Sequence, residues 1–177
     1  MNEHSAGPAE TALELRRAFD AGFARAPDAR ESGLETLLAL RIGGAPHAVR
    51  TSEIAGLFER QRVIPLPSPY PEFLGIAGFQ GSVVPVYDLA RLLGIEPTPV
   101  PAWRLLVRAP EPLALAFESF EGQFPVPRED LAHPPSGEGG ERSRRAVRVA
   151  GLHRPVVEVS AVVAAIRRLV RELEKER

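Results

Sequence analysis

The sequence predicts a mainly β protein built from small β-barrels, with few and short helices. Short runs of apolar and β-branched residues, separated by turn residues, recur at close intervals along the 177-residue chain, a pattern typical of small barrels. The 18 prolines and 15 glycines make up nearly a fifth of the chain and favour many short elements joined by turns. A hydrophobic content of 44% is enough for a real core.

Composition excludes several classes of function. A net charge of −1 gives no overall field that would attract nucleic acid or an anionic membrane. The chain has no cysteine, so disulfides and thiolate metal sites are excluded. The N-terminus MNEHSAGPAE does not resemble a secretion signal, and no apolar run is long enough to span a bilayer. A soluble cytoplasmic protein without direct membrane insertion is therefore expected.

Residues 1–32 are predicted to form an N-terminal extension, and residues 33–177 the main domain. A helix over about 11–25 is predicted because apolar residues follow one another at spacings of three and four: Ala12, Leu15, Phe19 and Phe23. Pro27 ends this helix. It either packs on the main domain or docks onto a partner.

The main domain opens with two strands, Leu34–Ile42 and Pro46–Val49, joined by a hairpin at Gly43-Gly44. A short helical stretch is expected next, capped by Thr51 or Ser52, with its apolar side formed by Ile54, Leu57 and Phe58. A strand at 62–64 follows. Prolines at 65, 67, 69 and 71 then predict an extended connection, for which binding to a proline-recognition module is a second interpretation.

The stretch from Phe73 to Gly94 is the centre of the domain. Glycines at 75, 78 and 81 indicate a sharp turn or a close backbone approach. Beyond them, alternating apolar residues predict a strand in which Pro85 belongs at an edge or a bulge. Asp88 is the expected N-cap of a short helix that ends at Gly94.

The second half of the domain reads as strand pairs followed by a closing helix. Strands are predicted at 103–107 and 113–117, a turn at Glu121-Gly122, a strand at 124–126, and a short capped turn at 126–131. Residues 134–145 are predicted to be a mobile loop. Strands at 146–150 and 155–159, turned at 151–154, precede a helix over about 160–175 capped by Ser160.

The search for catalytic chemistry favours a binding module over an enzyme. Four scattered histidines lack metal-ligand spacing: His4, His47, His133 and His153. His47, in a hairpin, and His153, in a turn, are interpreted as ordinary surface residues. Ser82 lacks the second glycine of a nucleophile turn, and no phosphate-binding loop occurs. Glu118 and Glu121 are only weak candidates for paired acids. No catalytic residue, metal or cofactor is therefore predicted, and the arginines at 142–148 indicate a solvated loop flank rather than a nucleic-acid site.

The central stretch FLGIAGFQGSVVPVYDLARLLG resembles the signature of CheW-like domains, the adaptors of bacterial chemotaxis. LLALRIGGAPHAV resembles the opening hairpin of the family and VRVAGLHRPVVEVSAVV its closing strands, so the resemblance covers about residues 33–169. It implies two five-stranded, SH3-like β-barrels sharing a hydrophobic core, and no enzymatic activity. The implied partners are the cytoplasmic tip of chemoreceptors and the regulatory domain of a CheA-type histidine kinase.

The resemblance also implies which residues touch these partners. Ile54 and Leu57 match positions at the receptor-binding groove, and Ala114 matches a small residue opposite it. Gly81 keeps the family glycine, whereas Gln80 replaces the usual arginine and Gly78 the usual asparagine.

Since glutamine lacks the charge and the rigid donor fork of arginine, two functions within the family stay open. One is a conventional adaptor that joins receptor and kinase. The other is a divergent adaptor that binds a receptor but couples poorly to the kinase. An enzyme on small barrels is a remote third possibility.

Overall fold

A computed structural model describes residues 33–98, 100–110, 112–132 and 146–175. For residues 173–175 only the backbone is described. The chain divides into the units Met1–Leu34 and Glu35–Arg177, and the second is described below, together with the start of its first strand. The predicted helix at 11–25 and the predicted loop at 134–145 lie outside the described residues.

Ten strands and three α-helices are found in the described part of the chain. The strands are β1 (Leu34–Ile42), β2 (Ala45–Arg50), β3 (Ile54–Glu59), β4 (Phe73–Phe79), β5 (Ser82–Asp88), β6 (Trp103–Val107), β7 (Ala114–Phe117), β8 (Ser119–Pro127), β9 (Ala146–Val149) and β10 (Leu152–Pro155). The helices are α1 (Leu89–Leu92), α2 (Arg128–Ala132) and α3 (Val159–Lys175).

The strands form three hydrogen-bonded sheets. The largest has the order β3-β6-β7-β5-β4, and the other two have the orders β2-β1-β8 and β10-β9. A parallel bridge between Ala48 and Val156 brings the chain just after β10 against β2. The predicted mainly β class is confirmed, whereas the description of each group of strands as a closed barrel stays a prediction.

Several strands have consecutive buried residues and so contribute to two cores, one on each face. Leu106 of β6 points into a core made by the five-stranded sheet itself, while Leu105 and Val107 point into a central core covered by α3. In β1, Leu37 and Leu38 likewise face different cores. This double burial explains why several strands read as continuous apolar runs rather than as alternating ones.

A glycine allows the segment after β3 to close onto β4. Ile64 and Ile76 exchange two backbone hydrogen bonds, of 2.8 and 2.9 Å. Gly75, beside this bridge, has a φ of +131°, and a Cβ there would overlap the carbonyl oxygen of Ile64. The close backbone approach predicted for this glycine is thereby confirmed.

The central stretch folds largely as predicted. Asp88 caps α1, since its Oδ1 accepts hydrogen bonds from the backbone N–H groups of Ala90 (2.9 Å) and Arg91 (3.2 Å). Pro85 lies in an internal strand rather than at a sheet edge or a bulge. It pairs with β4, but the ladder to β7 begins only at Val86, so no hydrogen bond to β7 is lost at the proline.

The helical stretch predicted after Thr51 is wrong. Only Thr51–Glu53 forms a turn of 3-10 helix, and the apolar residues that follow belong to β3, which pairs with β6. Apolar residues at 54, 57 and 58 fit the periodicity of a helix as well as that of a strand. Pairing with β6, which is distant in the sequence, favours the strand. The strand predicted at 62–64 is reduced to the single bridge at Ile64.

Three boundaries in the second half are also corrected. Glu121-Gly122 lies inside β8 and is not a turn. The last hairpin turns at Ala150-Gly151, both of which have positive φ, so its second strand starts earlier than predicted. Ser160 is the second residue of α3 rather than its cap, and the backbone of Glu158 accepts the first helical hydrogen bonds.

Candidate functional site

The Gln80-Gly81 pair forms the exposed tip of the β4–β5 hairpin. Phe79 and Ser82 pair directly across it, so the turn has two residues, and both have positive φ (48° and 82°). Two-residue turns of this kind suit the twist of a hairpin, and glycine adopts them most readily. Gln80 is therefore held outward in a left-handed backbone conformation on a short, rigid turn.

Gly78 leaves an apolar side chain uncovered beside this tip. It pairs directly with Val83, which is 69% exposed because the glycine offers no side chain to pack against it. The Nε2 of Gln61 donates a 2.6 Å hydrogen bond to the carbonyl oxygen of Gly78. The hairpin thus presents an amide-bearing tip next to an exposed valine.

Ile54 and Leu57 lie on β3, at the opposite edge of the same sheet. Ile54 is buried and pairs with Val107, while the Nη2 of Arg108 donates a 3.1 Å hydrogen bond to its carbonyl oxygen. A groove of about 260 Å³ lies beside it, between the end of β6 and the start of α3, and its lining includes Glu53 and Ala164. A partner would contact this groove rather than the buried isoleucine.

Ala114 is completely buried, so it cannot touch a partner directly. It lies in β7 between Leu106 and Val86, within the core of the five-stranded sheet. Its contribution to binding can only be indirect, since a larger side chain there would push the neighbouring strands apart.

Register places the groove beside β3 and the hairpin tip at the same end of the sheet. Gly56, Leu106, Ala114 and Val86 form one row across the strands. Ile54 precedes this row in β3, and the tip precedes it in β5, which runs in the same direction as β3. Four of the six predicted contact residues are exposed or partly exposed: Leu57, Gly78, Gln80 and Gly81. Ile54 and Ala114 are buried.

A cluster of charges around Arg50 joins the start of α3 to β2 and the turn that follows it. The Nη1 of Arg50 lies 3.0 Å from Glu158, its Nε 3.4 Å from Glu35, and its Nη1 3.8 Å from Glu53. Burial lowers the pKa of Arg50, but the hydrogen bond and charge of Glu158, with the other two acids, outweigh burial and raise it. Burial raises the pKa of Glu53, and Arg50 opposes this shift.

A second network is centred on the buried Arg154, which is 2% exposed. Its Nη1 lies 2.6 Å from Oε2 of Glu121 and donates longer hydrogen bonds to the carbonyl oxygens of Leu40 and His47. The hydrogen bond from Arg154, assisted by Arg41, lowers the pKa of Glu121. Glu121, first considered as a weak catalytic acid, is thus an ion-pair partner that links β8 to β10 and β1.

His47 is buried rather than on the surface, which corrects the sequence-based interpretation. It is 8% exposed, and its Nδ1 lies 3.1 Å from the carbonyl oxygen of Ala45. Burial lowers the pKa of this imidazole, and the charge of Arg154 lowers it further. No local sequence pattern predicts that His47 and Arg154 are buried, because their burial follows from the packing of β10 on β2.

Neither a metal cluster nor a membrane span occurs in the described part of the chain. No group of three or more histidine, aspartate or glutamate side chains is placed there to hold a metal ion. No helix within the same residues is both long and apolar enough to cross a bilayer. The buried charged groups found there have structural contacts: Arg154 lies in its ion-pair network, Asp88 caps α1, and the Nη1 of Arg104 donates hydrogen bonds to the carbonyl oxygens of Pro101 and Trp103.

The described residues thus form a small β domain with structural charge networks, an exposed hairpin tip and surface grooves. A family model described as the CheW-like domain matches residues 36–167. The chain belongs to the CheW-like domain family. This family membership confirms the resemblance noted from the central stretch.

Solved structures support the same fold. The chain is similar to the scaffolding protein TtCheW from Thermoanaerobacter tengcongensis, with a TM-score of 0.60 and 12% sequence identity. The match covers 70% of this chain and 88% of that one. At this identity the likeness is one of fold alone. A comparison with curated proteins returns no match.

Proposed function

We propose that this protein is a non-enzymatic scaffold of a bacterial chemosensory pathway, working in the cytoplasm and clustered with chemoreceptors. The carrying observation is the family match over residues 36–167, which spans nearly the whole described domain. The scaffolding role printed for TtCheW, a protein of the same fold, supports this proposal. The partners proposed are a chemoreceptor cytoplasmic tip and the regulatory domain of a CheA-type histidine kinase.

The groove beside β3 is proposed as the receptor contact. Its lining combines apolar side chains, such as Val107 and Val163, with the charged side chains of Glu53, Arg108 and Arg167. An exposed alanine, Ala164, lies on its helical side. An inserted side chain at Ala164 would fill the groove without disturbing the core. Ala161 lies on the same helix, is equally exposed and does not line the groove, so it offers a matched control.

The Gln80-Gly81 tip is proposed as the contact that decides coupling to the kinase. Glutamine can donate and accept hydrogen bonds but cannot form the paired, charge-assisted bonds of arginine. The second candidate function follows from this residue: a scaffold that holds a receptor but couples weakly to the kinase. The exposure of the tip favours a direct effect on a partner over an effect on folding.

Binding measurements with the two partners test both proposals. The full chain is titrated with a purified receptor cytoplasmic fragment and, separately, with a kinase regulatory domain. We expect Ala164→Glu to weaken receptor binding by about ten-fold or more, because the longer side chain would fill space in the groove that a receptor side chain would occupy. Ala161→Glu should leave it unchanged. Failure of the unmodified chain to bind either partner would refute the adaptor function.

The same titrations separate the conventional from the divergent scaffold. If coupling is weakened at the tip, Gln80→Arg tightens kinase binding by about ten-fold. Gln123→Arg, an equal change at an exposed position of β8, has no such effect. Tight kinase binding by the unmodified chain would eliminate the divergent function and leave the conventional one.

A further inference from the structure

A second groove runs along the other side of α3. A cavity of about 550 Å³ separates this helix from the second half of β5 and the residues before β7, and its apolar lining includes Tyr87, Leu113 and Val170. Beyond Tyr87 and Val170 the groove continues into a cavity of about 270 Å³, whose far wall is formed by Pro67, Pro69 and Tyr70. The groove is therefore elongated, with an apolar floor.

Two arginines lie at the rim of this groove and have no acidic partner among the residues that the structure describes. Arg167 and Arg171 line its larger cavity, and both are exposed. No salt bridge within the described residues includes either of them, in contrast to Arg41, Arg50 and Arg154. The lining of the two cavities contains no acidic residue. Positive charge thus borders apolar surface, a combination that attracts a ligand bearing both apolar groups and carboxylates.

We propose that this groove, here called the α3 groove, binds an acidic amphipathic segment of a protein partner. Its length across two cavities suits several consecutive side chains of a peptide better than one compact small molecule. Apolar side chains of the segment would occupy the floor around Val170, and its carboxylates would pair with Arg167 and Arg171. This surface is proposed in addition to the receptor and kinase contacts above, although Val163 and Arg167 line both this groove and the groove beside β3.

The burial of α3 argues against an anionic membrane as the ligand. A helix that lies on a membrane inserts a whole apolar face. The apolar side chains of α3 at Val159, Val162, Val163 and Ile166 are instead buried against the protein. Val170, at 40% exposure, is the one large apolar side chain that the described part of this helix exposes, which is too little to anchor it in a bilayer.

An NMR titration of the isotope-labelled full chain tests the proposal. The probe is a designed peptide with leucines at helical spacing along one face and glutamates on both flanks. We expect shift changes at Tyr87, Leu113 and along 163–171, and weaker binding at high salt because the arginines are exposed. Arg171→Glu should weaken binding by about five-fold or more.

Arg168 provides the matched control, because it is exposed on the same helix and lines neither cavity. Arg168→Glu should change the affinity for the peptide by less than about two-fold. The proposal fails if the peptide does not bind, if a peptide with lysines in place of the glutamates binds equally well, or if both arginine variants lose affinity alike. Binding to phosphatidylserine vesicles in preference to the peptide would overturn it in favour of a membrane surface. Tyr87, Leu113 and Arg171 do not line the groove beside β3, so shift changes at the first two and the effect of Arg171→Glu are separable from receptor binding.

Discussion

Neutralising Glu121 should leave a buried charge without its counter-ion. Glu121→Gln keeps the size of the side chain and an oxygen that can accept a hydrogen bond, but it removes the carboxylate 2.6 Å from the Nη1 of Arg154. The side chain of Arg154 is only 3% exposed, and among the described residues its Nε has no hydrogen-bond partner. Water therefore cannot solvate the guanidinium in place of the lost carboxylate.

The expected cost of Glu121→Gln is about 2 kcal/mol. Breaking a fully buried pair costs about 3–5 kcal/mol. The cost here is lower because the side chain of Glu121 is 25% exposed, which lets solvent screen the pair, and because glutamine can still accept a bond from Arg154. In a domain of this size a loss of about 2 kcal/mol lowers Tm by about 4–8 °C.

Chemical and thermal unfolding at neutral pH measure this effect. Glu118→Gln is the control: the Oε2 of Glu118 accepts a 2.7 Å hydrogen bond from the backbone N–H of Gly44, which glutamine can also accept. That variant should cost less than about 1 kcal/mol. The difference should also shrink in acid, because the lowered pKa of Glu121 means that its stabilisation is present above about pH 4.5 and is lost as pH falls through the folded-state pKa.

A double variant decides whether the buried charge is the cause. Adding Arg154→Met to Glu121→Gln removes the uncompensated guanidinium and should recover about 1 kcal/mol. If the double variant is instead less stable than Glu121→Gln alone, Arg154 stabilises the fold through its packing and its bonds to backbone carbonyls. The reasoning from an uncompensated charge would then be refuted.

Three further predictions concern the backbone closure, the buried histidine and the helix cap. Gly75→Ala should lower the free energy of unfolding by about 3 kcal/mol or more, because the new Cβ would overlap the backbone of the proline-rich segment at a φ that favours glycine. Denaturant unfolding should show no comparable loss for Gly78→Ala, because a Cβ at that position meets no atom within 4 Å. Because burial lowers the pKa of His47 below 6.5, stability should fall as pH drops below about 6.5; the slope should flatten in His47→Gln but persist in the exposed control His153→Gln. Asp88→Ala should lower the free energy of unfolding by about 1 kcal/mol through loss of the α1 cap, and an unchanged melting curve would contradict this role of the carboxylate.

What could be predicted from the sequence was local in origin. The Gly43-Gly44 turn, the cap at Asp88 and the pair β6–β7 depend on neighbouring residues and on short-range alternation. The central stretch carried the family resemblance for the same reason, since its glycines and its Pro-x-x-Asp-Leu run lie close together in the chain. These features were sufficient for the fold class and for the short helix capped by Asp88.

The tertiary structure alone decided which residues lie inside. Ile54–Glu59 became a strand because β6, distant in sequence, offered it a pairing partner. The burial of His47 and Arg154, and the ion pair between Arg154 and Glu121, arise because β2, β8 and β10 meet only after folding. Likewise Ala114, a predicted contact residue, lies at the centre of a sheet, while Arg167 and Arg171 border a groove that exists only where α3 crosses the sheet. Periodicity shows which face of a strand or helix is apolar, but not which other element covers that face.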